Sequence, residues 1–175
     1  MTSPGTVLVT GAAGFIGHAV SLRLHAEGWK VLALDALLDG LYPALEKRQR
    51  FDALTAIPGI DTYHLDLRSD DLGSLPEGIT HVINEAAMPG LGLSWEDFDL
   101  YSSCNLGGLS RLIEATSRWP LEKFVQASTS SVYGLHAVGD ETQELAPVSP
   151  YGVTKLAAEQ LAFAHLRDSG FPAVV

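Results

Sequence analysis

"VTGAAGFIG" (Val9–Gly17) ends an apolar run rich in β-branched residues, "TVLVT" (6–10), and opens a stretch of helical period over 15–27. Its glycines, Gly11, Gly14 and Gly17, stand straight after the strand and at the mouth of the helix. Each suits a different demand of a strand–turn–helix that meets a diphosphate. Gly11 permits the tight turn, Gly14 lets the backbone approach the ligand, and Gly17 lets the helix lie against the strand. The pyrophosphate would rest on the first N–H groups of the helix, at the positive end of its dipole. The spacing is GxxGxxG, one residue wider than the GxGxxG form, and a glycine triplet alone also fits an ordinary strand–helix turn. Context decides between them. A strand precedes, a helix follows, and Asp35 ends the second strand 18 residues past Gly17. A carboxylate there accepts from the adenosine ribose hydroxyls and repels a 2′-phosphate, which favours NAD over NADP.

Outward from this turn the same alternation continues. "KVLAL" (30–34), "IDTYHL" (60–65), "ITHVIN" (79–84) and "KFVQAS" (123–128) read as buried parallel strands. Helical patterns lie at 99–118 and 151–168, with a shorter one near 43–54 ended by Pro58-Gly59. Strands alternating with helices predict an α/β fold, a doubly wound parallel sheet of Rossmann type, in one domain over 1–175. Asp66 ends the third strand, where an adenine ring would lie; it reads equally as the cap of a turn at 69–72. "GFPAVV" (170–175) reads as a sixth strand cut off as it begins, which predicts a piece of a longer protein.

Composition narrows the function. A formal net charge of −10, with no basic stripe, argues against a nucleic-acid binder. It does not argue against a small anion held by backbone N–H groups. Cys104 is alone, and the histidines have no ligand spacing, so no metal site is expected. No long apolar run predicts a membrane span, and the strand starting soon after Met1 leaves no room for a targeting segment, which predicts a cytoplasmic protein.

Two tyrosines compete for a chemical role, in "STSSVYG" (128–134) and "SPYGVTK" (149–155). Oxidoreductase chemistry on such a scaffold needs a base for a hydroxyl proton, and a phenol near pKa 10 serves only if its phenolate is stabilised. Ser149 fits an N-cap and Pro150 the first helical position, so Tyr151 falls in the first turn. Lys155 lies four residues on, on the same face. The ammonium and the helix end are both expected to lower the Tyr151 pKa. Tyr133 has Ala137 at that offset and no helix start before it, so it reads as a packing residue. Thr129, among Ser128, Ser130 and Ser131, could donate to the reacting oxygen, although loop hydroxyls often cap their own backbone.

Together "VTGAAGFIG", Asp35, "HLDLR" (64–68), "AAMPG" (86–90), "NLGGLSRLIEA" (105–115), "STSSVYG" and "YGVTK" resemble the extended short-chain dehydrogenase/reductases, most closely the NAD-dependent nucleotide-sugar epimerase/dehydratase group of UDP-glucose 4-epimerase-like members. The resemblance implies that Gly11, Gly14, Phe15, Ile16 and Gly17 hold the pyrophosphate and Asp35 the ribose. Asp66 and Leu67 would flank the adenine, and Ala86, Ala87 and Asn105 the inner path of the cofactor. Thr129, Tyr151 and Lys155 match the catalytic triad, with Tyr151 and Lys155 also touching NAD, and Ser130 and Ser131 facing substrate. It implies a UDP-sugar-like nucleotide-sugar substrate, a homodimer through helices 99–118 and 151–168, and a small C-terminal substrate domain that this chain lacks. For the dimer, Leu109, Leu112, Ile113, Leu156, Leu161 and Phe163 offer apolar surface.

Three departures matter. Asn84-Glu85 stand where the family usually reads H-x in H-x-A-A. Ser130-Ser131 replace the Asp-Glu of the 4,6-dehydratases, which disfavours loss of water. Gly92 stands where uronic-acid epimerases commonly carry arginine, which makes glucuronate less favoured. A 4-epimerase is therefore expected. A sugar or hydroxysteroid-type dehydrogenase would instead accumulate NADH, and an inert NAD-binding module would turn nothing over.

Overall fold

Period-two alternation sends the side chains of each strand to two different helical layers. The computed structural model describes residues 4–175. Its strands are β1 (Thr6–Thr10), β2 (Lys30–Asp35), β3 (Ile60–His64), β4 (His81–Asn84), β5 (Lys123–Gln126) and β6 (Ala173–Val174). Its helices are α1 (Phe15–Ala26), α2 (Ala44–Thr55), α3 (Leu93–Glu96), α4 (Phe98–Ser102), α5 (Gly108–Thr116) and α6 (Pro150–Ser169). All pairs are parallel in the order β3-β2-β1-β4-β5-β6. β1 thus has β2 on one side and β4 on the other, and ligand crevices open at such a reversal of strand order.

Val7, Val9, Val31 and Ala33 point to one layer, against Val20, Leu24 and Leu54 of α1 and α2. Leu8, Leu32, Val82 and Phe124 point to the other, against Leu109, Leu112 and Ile113 of α5 and Ala158 and Ala162 of α6. The doubly wound α/β expectation holds, and "GFPAVV" does begin a sixth strand, Ala173 pairing Phe124 and Val174 pairing Val125. Among the described residues no helix is long and apolar enough to cross a membrane.

Two expectations need refinement. The helix read over 99–118 holds from Phe98 to Thr116 but is not α throughout: α4 passes into a π turn at Ser103–Gly107 before α5 starts. The wider turn accompanies a buried Asn105, whose amide bonds Met88 N, Met88 O and Thr154 Oγ1. Leu109, Leu112 and Ile113 are core residues, so of the proposed dimer surface only Leu156, Leu161 and Phe163 retain exposure.

The start of α1 is tightly packed against the end of β1. A Cβ on Gly17 would lie 2.2 Å from the Gly11 carbonyl oxygen, which is backbone and cannot swing aside. Gly17→Ala should therefore destabilise the chain by about 2 kcal/mol or more in urea denaturation. Exposed Gly107 has nothing within 4 Å of a built Cβ. There the same change should be neutral or stabilising by up to ~1 kcal/mol; equal effects at the two sites would contradict the crowding.

Candidate active site

The glycine turn is held by its neighbours. Gly11 has φ +65°, Gly14 N–H donates to Gly11 O at 2.9 Å, and Ala12 N–H donates to Leu34 O at 3.0 Å. Gly14, the N-cap of α1, has no side chain with which to cap the helix. A helix leaves its first N–H groups without partners of its own, and here Phe15, Ile16 and Gly17 line a cavity of about 300 Å³. A Cβ on Gly14 would meet only Gly11 O, at 3.0 Å, so the approach from the cavity is clear. A diphosphate fits this cradle by shape and by polarity.

One end of the cavity is built from Asp35, Asp66, Leu67 and Arg68, all of which line it. Asp35 is buried, and its oxygens accept from Ala13 N–H at 2.9 Å and Leu37 N–H at 2.7 Å. Each oxygen keeps a lone pair for a ribose hydroxyl. Asp66 is more committed. It accepts Arg68 N–H at 2.9 Å and a two-pronged guanidinium contact, with Arg68 Nη2 at 2.7 Å. Those Arg68 bonds hold the Asp66 carboxyl below its usual range against the opposing effect of burial. Asp66 thus closes a local turn two residues long, and it is not a side-chain cap for 69–72. Arg111 of α5 steadies the same loop by donating to Leu67 O at 2.8 Å.

At the opposite end Ser149 caps α6, accepting Gly152 N–H at 3.0 Å with Pro150 in the first turn. That starts the helix where the sequence predicts and brings Tyr151 and Lys155 into the cavity lining with Ala86, Ala87 and Ser128. The Tyr151 ring meets Tyr101 edge-on at 6.3 Å. Lys155 is 4% exposed, and its Nζ donates to Ala127 O at 2.6 Å.

The charges differ from expectation. Burial raises the Tyr151 pKa above 10, opposed only by its hydrogen bond with Thr129. Lys155 and the helix end do not reverse this, because the lysine head is occupied at Ala127 and is itself buried. Burial lowers Lys155 to about 8 although Glu85 and Glu159 both pull it up. That corresponds to about 3 kcal/mol against the charged form. Glu85 is half-buried beside the glycine turn, and burial raises its carboxyl despite Lys155.

Four candidates lie outside the lining. Asn105 sits behind it, shaping the Met88 loop. Thr129 adjoins the Tyr151 phenol but also accepts Ser131 N–H at 3.2 Å as the cap of a 3-10 turn over Ser130–His136. Ser130 and Ser131 belong to that turn. Residues not singled out from sequence include Lys47, Cys104 and Met88 in the lining, and Glu159, whose carboxylate accepts from Ser128 Oγ. Only Glu159 had a visible signal: it repeats the spacing from Tyr151 to Lys155. Among the described residues no cluster of His, Cys, Asp and Glu could hold a metal.

Comparison with known proteins agrees with this geometry. The model of the NAD dependent epimerase/dehydratase family matches residues 7–175. An uncharacterized UDP-glucose epimerase of Bacillus subtilis is 38% identical over 97% of this chain and 54% of its own length. A crystal structure of UDP-glucuronic acid 4-epimerase from Bacillus cereus, in complex with UDP-glucuronic acid and NAD, superposes with TM-score 0.90 at 35% identity, covering 97% of this chain and 55% of that one. UDP-glucose 4-epimerase of Thermus thermophilus in complex with NAD gives 0.81 at 32% identity, over 96% and 53%. The chain therefore spans about half the length of these relatives, and it belongs to the NAD-dependent epimerase/dehydratase family.

Proposed function

We propose that this chain is the cofactor-binding part of a nucleotide-sugar 4-epimerase that uses NAD and acts on a UDP-sugar. The observation that carries the reading is one cavity lined at one end by the glycine turn and Asp35 and at the other by Tyr151 and Lys155. Gly11, Gly14, Phe15, Ile16 and Gly17 would hold the pyrophosphate and Asp35 the adenosine ribose. Asp66 and Leu67 would border the adenine, and Ala86 and Ala87 the inner wall. NAD bound there would take up and return hydride at the sugar carbon.

Tyr151 removes the proton of the sugar 4-hydroxyl and returns it once the other face of the carbon is presented, so neither protons nor electrons are gained overall. Thr129 steadies the phenol oxygen. Ser130 and Ser131 stand toward the sugar. Because burial holds the Tyr151 proton on in the cofactor-free protein, the base becomes competent only when positive charge enters the cavity. In an extended form that includes the remainder of the enzyme, Tyr151→Phe should cut turnover by about 10³-fold or more while leaving NAD bound. Retained turnover would remove Tyr151 from this role.

Lys155 is proposed to bond the nicotinamide ribose as an ammonium donor. With its pKa near 8 in the free protein, the donor is charged below that pH and lost above it. NAD affinity of the 175-residue chain should fall as pH rises through about 8, and Lys155→Met should flatten that dependence; calorimetric titration at a series of pH values reads both.

We also propose a homodimer through α6 and the α4–α5 segment, with Leu156 and Phe163 in the seam. Sedimentation should show a dimer that Phe163→Glu converts to monomer; a strict monomer at every concentration would remove the proposal.

A further inference from the structure

The strand ends carry a feature that the glycine turn and the triad do not explain. Thr10, Asn84 and Gln126 are the last residues of β1, β4 and β5, and all are buried. Parallel register sets Thr10 beside Asn84 and Asn84 beside Gln126. They form a continuous hydrogen-bonded chain under the cavity. Gln126 Nε2 donates to Ala127 O at 2.8 Å, and Asn84 Nδ2 donates to Gln126 Oε1 at 2.7 Å. Thr10 Oγ1 donates to Asn84 Oδ1 and accepts Ala86 N–H at 3.2 Å.

The direction of this chain follows from its end. A carbonyl only accepts, so Gln126 must turn its NH₂ toward Ala127 and its oxygen toward Asn84. Asn84 must then offer its own NH₂ to Gln126 and its oxygen to Thr10, which is left to donate. Every amide orientation is set in turn, with no polar atom spare. Lys155 Nζ donates to the same Ala127 oxygen at 2.6 Å. That oxygen therefore takes one donor from a locked amide and one from the lysine.

We infer that Asn84 and Gln126 are positioning residues for Lys155: with Thr10 they lock the Ala127 carbonyl on which the lysine head docks at the rim of the cavity. The inference rests on the reading of Lys155 as a residue of the active site. Without such a lock the lysine has better partners. The charged groups acting on it are Glu85, just after β4, and Glu159, one turn further along α6 and bonded to Ser128; Tyr151 lies one turn back. A free ammonium would turn to either carboxylate. The locked carbonyl offers a neutral anchor between the two. Apolar side chains at the three strand ends would fill the same space without needing partners, so a continuous polar chain there favours a conformational purpose over core stability.

The test is the titration of Lys155, read by NMR in the cofactor-free 175-residue chain with isotope-labelled lysine. Its resonance is identified by its loss in Lys155→Arg. The unaltered chain should show a midpoint near 8. Gln126→Met keeps the length of the side chain and removes the donor, and Asn84→Leu cuts the next link. In each the ammonium should swing to Glu85 or Glu159, and the midpoint should rise by about one unit or more. An unchanged midpoint in either variant, folded by circular dichroism, overturns the inference. Should both fail to fold, Thr10→Val cuts the chain at its far end and is judged by the same midpoint. Because no NAD or sugar takes part, the result is independent of the epimerase reading, whose own failure would appear in Tyr151→Phe.

Discussion

Everything in the site depends on how closely the start of α1 approaches the end of β1. The Gly17 Cα lies so near the Gly11 carbonyl that a methyl group has no room, and a Cβ on Gly11 would sit 2.8 Å from Ala86 N. Two strand ends and a helix start therefore converge in a space only glycine can leave open. Because β1 lies where the strand order reverses, the loops after β2 and β4 fall to either side of this point. Asp35 ties one flank through Ala13 and Leu37. Thr10 ties the other through Ala86. The cavity is what remains between flanks drawn together in this way, and helix dipole and free N–H groups make its glycine-turn end attractive to an anion.

Electrostatics at the Tyr151–Lys155 end is governed by burial before charge pairing. A helix N-terminus contributes about 0.3–1 kcal/mol, less than one pKa unit, whereas burial can move a group by several. That ranking explains why Tyr151 titrates above an ordinary tyrosine despite its place in the first turn. It also explains why Lys155 falls to about 8 with two carboxylates acting on it. Both residues are held toward their neutral forms.

What the sequence made legible was whatever depends on local order along the chain. The strand–turn–helix at 6–27, the Ser149-Pro150 start of α6 and the Tyr151–Lys155 spacing were readable because cap chemistry and helical period act within a few residues. The π turn within the 99–118 helix was not, since it changes hydrogen-bond partners without changing the apolar pattern. Leu109, Leu112 and Ile113 satisfied both a dimer face and a core; only the packing of α5 on the sheet distinguishes them. Asp66 was recognisable as a residue of the site, but its commitment to Arg68 depends on rotamers. The Thr10–Asn84–Gln126 chain spans 116 positions and exists only through strand register. Polar residues ending apolar strands were its one trace, and Asn84 stood out merely as a departure.

One face of α6 unites these observations. Tyr151, Lys155 and Glu159 recur every four residues and so form a single row. The row is enclosed along its length: Tyr151 is half-buried, while Lys155 and Glu159 are buried. Each meets the segment after β5, Tyr151 at Thr129, Lys155 at Ala127 and Glu159 at Ser128. Three consecutive residues of that segment are thus bound by three consecutive turns of one helix. Such an arrangement couples the position of the phenol to that of the lysine through rigid backbone, with no direct bond between them. A displacement of β5 relative to α6 would therefore disturb all three groups together, which is why the polar lock at the end of β5 bears on the positions of both Tyr151 and Lys155.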